Sequence, residues 1–201
     1  MKSTEEHIVK RLRDFKRGKI FFPEMFYDLG SNDAVRQALV RLEDDGTLVR
    51  LAHGIYLFPK KDKQLGILYP PIDNIAKAVA KRDKATIIPT GTYALNKLGL
   101  STQVPLNAVY LTDGSQRSIK VGKRAIKFKR TVPKNLAVKG EISGLVIQAL
   151  REIGNGKVTT EQRRKIQELL QKEDPHHVKH DAKLAPAWIR TIMLKAIEEN
   201  Q

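Results

Sequence analysis

The residues with the most evident chemistry lie in NDAVRQALVRLEDDG, residues 32–46. Helical spacing puts Val35, Ala38, Leu39 and Leu42 on one face. Asp33, Arg36, Gln37, Val40 and Arg41 then point outward. In the major groove of duplex DNA an arginine bonds guanine and a glutamine bonds adenine, each through two hydrogen bonds. Ser31 and Asn32 precede this helix, where a helix N-terminus can hold a phosphate. Arg50 and His53 fall in a hairpin just downstream, and Lys60 and Lys61 follow it. The bland alternative is a solvated surface on a protein-interaction module.

A second basic set follows. Lys120, Lys123, Arg124, Lys127, Lys129 and Arg130 crowd one short stretch. In AIKFKR, residues 125–130, apolar side chains alternate with Lys127 and Lys129, which gives a strand a basic face. These residues are expected to contact nucleic-acid phosphate.

Other constellations carry less. Asp174, His176, His177, His180 and Asp181 cluster, and His176 and His180 could share a helix face as metal ligands. No third ligand is supplied elsewhere, so a polar loop between two helices is the preferred reading and no metal is expected. Gly91 precedes a helix, yet the G-x-x-x-x-G-K-[ST] phosphate loop is absent, which leaves Thr90, Thr92 and Tyr93 only a weak claim on phosphate. No Ser/His/acid set stands out. The expectation is a binding protein that is not an enzyme and needs no cofactor.

The elements that must position these residues can be read along the chain. Ser3 and Glu6 fit a capping box for a helix over 4–16, carrying Ile8, Leu12 and Phe15. A strand at 20–22 and a short helix opened by Pro23 follow. Next come the helix over 33–45, capped by Ser31 or Asn32, and strands at 48–51 and 54–58. Lys60, Lys61 and Lys63 read as a basic linker. Tyr69-Pro70-Pro71 marks a boundary between domains 1–69 and 70–201. The second domain reads as a helix over 72–82, a strand at 86–89, a helix over 92–98 and a strand at 108–112. A hairpin of 118–121 and 124–132, turned at Gly122, comes next. Helices over 142–153, from Thr159 or Thr160 to 171, and over 184–199 close it. The fold class is α+β: three helices and a hairpin, the order of a winged helix-turn-helix, then a basic mixed α/β domain with a helical C-terminus. Trp188, Tyr56 and Phe58 read as core.

The chain has 201 residues and a formal net charge of +15. Residues 70–135 hold 13 Lys+Arg against Asp73, Asp83 and Asp113, a net of +10, whereas residues 1–69 carry only +3. That excess points to a polyanion, nucleic acid before a membrane surface. No apolar run approaches the ~20 residues that span a bilayer. The first residues lack a secretory apolar core, and there is no Cys for disulfides or thiolate metal sites. A cytoplasmic protein is expected.

AVRQALVRLEDDGTLVRLAHGIYLFP, residues 34–59, resembles the N-terminal winged-helix domain of AbiEi-type antitoxins, from the type IV toxin–antitoxin (abortive infection) systems of bacteria. The A-V-R-x-A-L-x-R-L helix and the L-V-R-x-x-x-G-I-Y hairpin carry the likeness. PTGTYALNKLGLSTQVP, residues 89–105, is similar to a second family segment, and KLAPAWI, residues 183–189, to the C-terminal signature of a DUF6088-like branch. The resemblance implies a repressor of its own operon that binds inverted repeats in double-stranded promoter DNA. It also implies a second domain that counters a nucleotidyltransferase-like toxin without a stable complex. Monomers or weak dimers, paired on DNA, are expected. An RNA-binding or RNA-acting protein working through the basic middle region is the alternative.

Overall fold

The computed structural model describes residues 3–198, and its class is α+β. Two compact units make up the chain: Met1–Val79 with Lys120–Gly122, and Ala80–Ile119 with Lys123–Gln201. The division falls inside α3 (Ile72–Arg82). Tyr69-Pro70-Pro71, the expected boundary, interrupts regular structure between β5 (Gly66–Leu68) and that helix.

In the first unit, α1 (Thr4–Arg13) starts on the expected capping box: Glu6 N donates to Ser3 Oγ at 3.2 Å, and Ser3 N donates to Glu6 Oε2 at 3.0 Å. It ends three residues before the expected limit. β1 (Ile20–Phe21) leads to Pro23–Phe26, expected as a helix but built as a single 3-10 turn. Arg11 clamps that turn and the stretch after it, with the Met25 carbonyl at 3.0 Å and both Asp28 oxygens at 2.7 Å. α2 (Asn32–Asp44) follows. β2 (Val49–Ala52) and β3 (Ile55–Leu57) form a hairpin, and β1 adds to β3, in the order β1-β3-β2. Phe21 is fully buried, with its ring 6.0 Å from Phe15, 5.5 Å from Phe26 and 5.8 Å from Tyr56. Tyr56 and Phe58 are core, as expected.

The expected basic linker is instead an antiparallel ribbon, β4 (Lys60–Asp62) on β5, with Lys61 opposite Ile67. The reason is local. The Asp62 carboxylate accepts from Gln64 N at 2.8 Å and Leu65 N at 3.0 Å, and Gly66 takes φ +71°, so D-K-Q-L-G closes a tight turn. Three lysines on so short a segment hide that signal in a composition reading.

In the second unit, β6 (Ile87–Pro89) runs antiparallel to β7 (Asn107–Thr112), and β7 runs parallel to β9 (Arg124–Arg130). β8 (Arg117–Val121) lies outside β9, giving the order β6-β7-β9-β8. Alternation buries Ala108, Tyr110, Ile126 and Phe128 on one face. There Tyr93 of α4 (Gly91–Lys97) meets Tyr110 edge-on at 5.7 Å, and Tyr110 stacks on Phe128 at 5.9 Å. α5 (Glu141–Ile153) packs on α4 and carries Leu145, Val146, Ala149 and Leu150 into the helical core. α6 (Thr160–Leu170) opens on a Thr159–Gln162 capping box. The 174–181 stretch, read as a loop, forms α7 (Pro175–Ala182), because Asp174 caps His176 N at 2.8 Å and Pro175 suits a first helical turn. α8 (Ala187–Glu198) begins after Pro186 rather than at Leu184. The expected last residue of that helix, Glu199, lies outside the described residues. Trp188 packs partly buried against this core. No helix among the described residues is long and apolar enough to cross a membrane.

Candidate nucleic-acid interface

The surface of α2 follows directly from its sequence. Val35, Ala38, Leu39 and Leu42 are buried, which leaves Arg36, Gln37, Val40 and Arg41 exposed. Val40 is 44% exposed, as single apolar side chains on a protein surface commonly are. Arg36 makes only a loose 3.6 Å pair with Asp33, both well solvated, so its guanidinium stays available. Arg41 differs: its Nε donates to Glu5 at 2.6 Å and ties α2 to α1. Asn32 is exposed in the first turn.

Ser31 is engaged as the cap, its Oγ accepting from Ala34 N at 3.2 Å. Replacing it with alanine is expected to cost about 1 kcal/mol of stability. Thermal melts of Ser31→Ala without DNA read this, and an unchanged midpoint would refute the cap's contribution.

Arg50 Nη2 lies 2.9 Å from His53 Nδ1, so the two expected hairpin residues are exposed at one spot, beside a turn that Gly54 makes with φ +67°. Lys60 and Lys61 do not join them. From that turn the chain runs back through β3 to Pro59, and Lys61 lines a hollow with Arg17, Asp45, Gly46, Thr47 and Phe58. That hollow adjoins the C-terminal end of α2, and a 13-residue helix is about 20 Å long. Ser31, Asn32, Arg36 and Gln37 cluster near the other end. The first unit thus brings Ser31, Asn32, Arg36 and Gln37 together on α2 and leaves Lys60 and Lys61 elsewhere.

The second basic set sits on the β8–β9 hairpin. Lys120, Lys123, Lys129 and Arg130 are exposed, Lys127 is half-buried, and none of the five has an ion pair among the described residues. The register puts Lys127 beside Val109 and Lys129 beside Leu111, while Arg130 beside Thr112 falls on the opposite face. Arg124 is half-buried and its Nε is buried without a partner. The acids nearby are engaged: Asp83 pairs with both Arg82 and Arg117, and Asp113 accepts from Thr86 N at 2.8 Å. Burial and the nearby Arg82 charge hold Arg117 below the usual guanidinium value.

Sequence reasoning missed how α5 is capped. Asp181 is fully buried and accepts from Lys139 N at 2.8 Å, Gly140 N at 2.9 Å and Ser143 Oγ at 2.6 Å, with His180 Nδ1 at 2.7 Å. Burial pushes this carboxyl up, but those four hydrogen bonds outweigh it and leave it below the usual carboxylate range. Glu173 accepts from Ile142 N at 2.9 Å and Ser143 N at 2.7 Å. A side chain on Gly140 would collide with Glu173 and Ser143. The partners are some 30 to 42 residues apart, so no spacing rule flags them. Two members of the His/Asp cluster therefore serve helix ends, and no metal-binding group of three or more His, Cys, Asp or Glu occurs among the described residues. Thr90 likewise turns inward, with Oγ1 on Gln148 Oε1 at 3.0 Å, and Tyr93 is buried.

A solved structure, the RV2827C protein from Mycobacterium tuberculosis, is 14% identical, with a TM-score of 0.45, over 96% of this chain and 81% of that one. No curated protein matches. Residues 7–178 match the family of unknown function DUF6088, and since that match spans most of the chain, the protein belongs to the DUF6088 family.

Proposed function

We propose that this protein is a sequence-specific binder of double-stranded DNA that represses its own operon, acting as the antitoxin of a type IV toxin–antitoxin pair. The observation that carries the reading is α2. It presents Arg36 and Gln37 to solvent near its capped end while its other face is locked into the core. Arg50 and His53 supply a backbone contact from the hairpin. The antitoxin role rests on the family resemblance of residues 34–59, 89–105 and 183–189. No catalysis and no cofactor enter this reading.

The test is binding of the intact protein to duplex from upstream of its own gene, with scrambled duplex and structured RNA as competitors. Preference for the upstream duplex supports the reading. Displacement by RNA at matched salt would favour the RNA alternative, which the unpaired lysines of β9 also suit. For the second unit, the expected result concerns salt. Replacing Lys127, Lys129 and Arg130 with glutamine should flatten the plot of log affinity against log salt by about 0.9 for each phosphate no longer neutralised. An unchanged slope would remove β9 from the interface. For the antitoxin role, coexpression with a neighbouring nucleotidyltransferase-like protein should restore growth, and continued toxicity would reject it.

A further inference from the structure

Three arginines of the second unit gather at one end of its sheet, on the face opposite to Lys127 and Lys129. Arg82 closes α3, and its Nε donates to Asp83 Oδ1 at 2.8 Å. Arg117 opens β8, and its Nη2 donates to the other oxygen of the same carboxylate. Arg130 ends β9 beside Thr112. That position is two residues from Phe128 and on the same face, and the Arg117 guanidinium lies over the Phe128 ring, 5.7 Å from its centroid. Two packed loops frame the spot. Thr86 N donates to Asp113 at 2.8 Å, and a side chain on Gly114 would come within 2.9 Å of Ala85.

The charge at this end of the sheet is unbalanced. Three guanidiniums face two carboxylates, Asp83 and Asp113, and Arg130 is exposed with no ion pair among the described residues. The Arg117 pKa is lowered by burial and by the Arg82 charge, so the two guanidiniums press on each other at a partly dry spot. An anion offsets that cost. It can also reach the site, because the side chains of Arg82, Asp83 and Arg117 keep 27%, 26% and 33% of their surface open. We infer that Arg82, Arg117 and Arg130 form a phosphate-binding site, in which the Asp83 carboxylate holds two of the arginines until a phosphate competes for them. Guanidinium forks match phosphate oxygens two at a time, and the Phe128 ring fixes the plane of one fork in advance. The same chemistry serves a nucleic-acid phosphate and a small phosphate ion or ester. The site stands independently of base reading by α2.

The experiment is a titration of the full chain with sodium phosphate at fixed ionic strength, followed by backbone amide NMR shifts. Saturable shifts are expected at residues 82–84, 112–117 and 130. Arg130→Gln changes an exposed side chain and Arg117→Gln a half-buried one. Each should weaken phosphate binding about tenfold, the loss of one charged hydrogen-bonding group. Asp83→Asn should tighten it about tenfold, because the competing charge is gone, whereas an aspartate that only braced the loops would yield no gain in affinity. A short duplex of scrambled sequence, added at matched salt, identifies the source. Shifts at the same amides, lost in Arg130→Gln, make the ligand a nucleic-acid phosphate. Phosphate binding that the duplex leaves undisturbed makes it a small phosphate ion or ester. The inference is overturned by an absence of saturable shifts, by an affinity that Arg130→Gln leaves unchanged, or by an Asp83→Asn protein that binds no more tightly. Intact phosphate shifts in a protein that ignores its upstream duplex would reject the DNA reading and uphold this site.

Discussion

Asp181→Ala is expected to cost about 3–4 kcal/mol of stability, measured by urea unfolding at neutral pH. The carboxylate is fully buried and receives two backbone N–H groups, the Ser143 hydroxyl and His180. Its removal leaves the start of α5 with buried donors that water does not reach, and such orphans are the expensive case. Asp181→Asn should cost less, because an amide oxygen still accepts but without charge. The pH dependence has a definite sign. The folded carboxyl titrates below its unfolded value, so its contribution is complete above about pH 4, the ordinary carboxylate value, and is lost as pH falls toward the depressed folded value. The alanine variant should therefore show a shallower acid limb than the wild type. Equal stability of the two proteins, or parallel acid limbs, would sink this account.

Arg36→Ala should weaken binding of the upstream duplex by about 1–3 kcal/mol, or about five- to 150-fold, and should relax preference at a single base pair. Its guanidinium is exposed, held only by the loose Asp33 pair, and lies one position before Gln37 near the capped end of α2. Arg41→Ala provides the contrast. Arg41 is bound to Glu5, so its loss should cost less than about 1 kcal/mol of stability and leave base preference unchanged. Affinity measured on a panel of single-base operator variants separates these outcomes. If Arg36→Ala weakens all sequences equally, Arg36 contacts phosphate instead of a base. If it weakens none, α2 is not the reading element.

Local rules read much of this chain correctly because the forces concerned are local. The Ser3–Glu6 box, the buried stripe of α2 and the turn at Gly122 depend on residues within four positions of one another. The failures share a cause as well. The ribbon went unread because one aspartate closing a turn outweighed a run of lysines. The 174–181 cluster reads from its composition as a polar loop, whereas Asp174 and Pro175 start α7 and Asp181 reaches across to α5. Arg41 looked free in a helical projection, yet Glu5 lies against it, 36 residues away in sequence.

By itself, the sequence determined the α+β class, the face that α2 buries and the concentration of charge in residues 70–135, since periodicity and composition act over short distances. Only the tertiary structure decided which charges are free. Packing joined Arg41 to Glu5 and Arg117 to Asp83, and it left Arg36 with only a loose pair to Asp33 and Lys127 and Lys129 without an ion pair among the described residues. It also moved Lys60 and Lys61 to the far end of α2, because an antiparallel strand returns the chain to the side from which it set out.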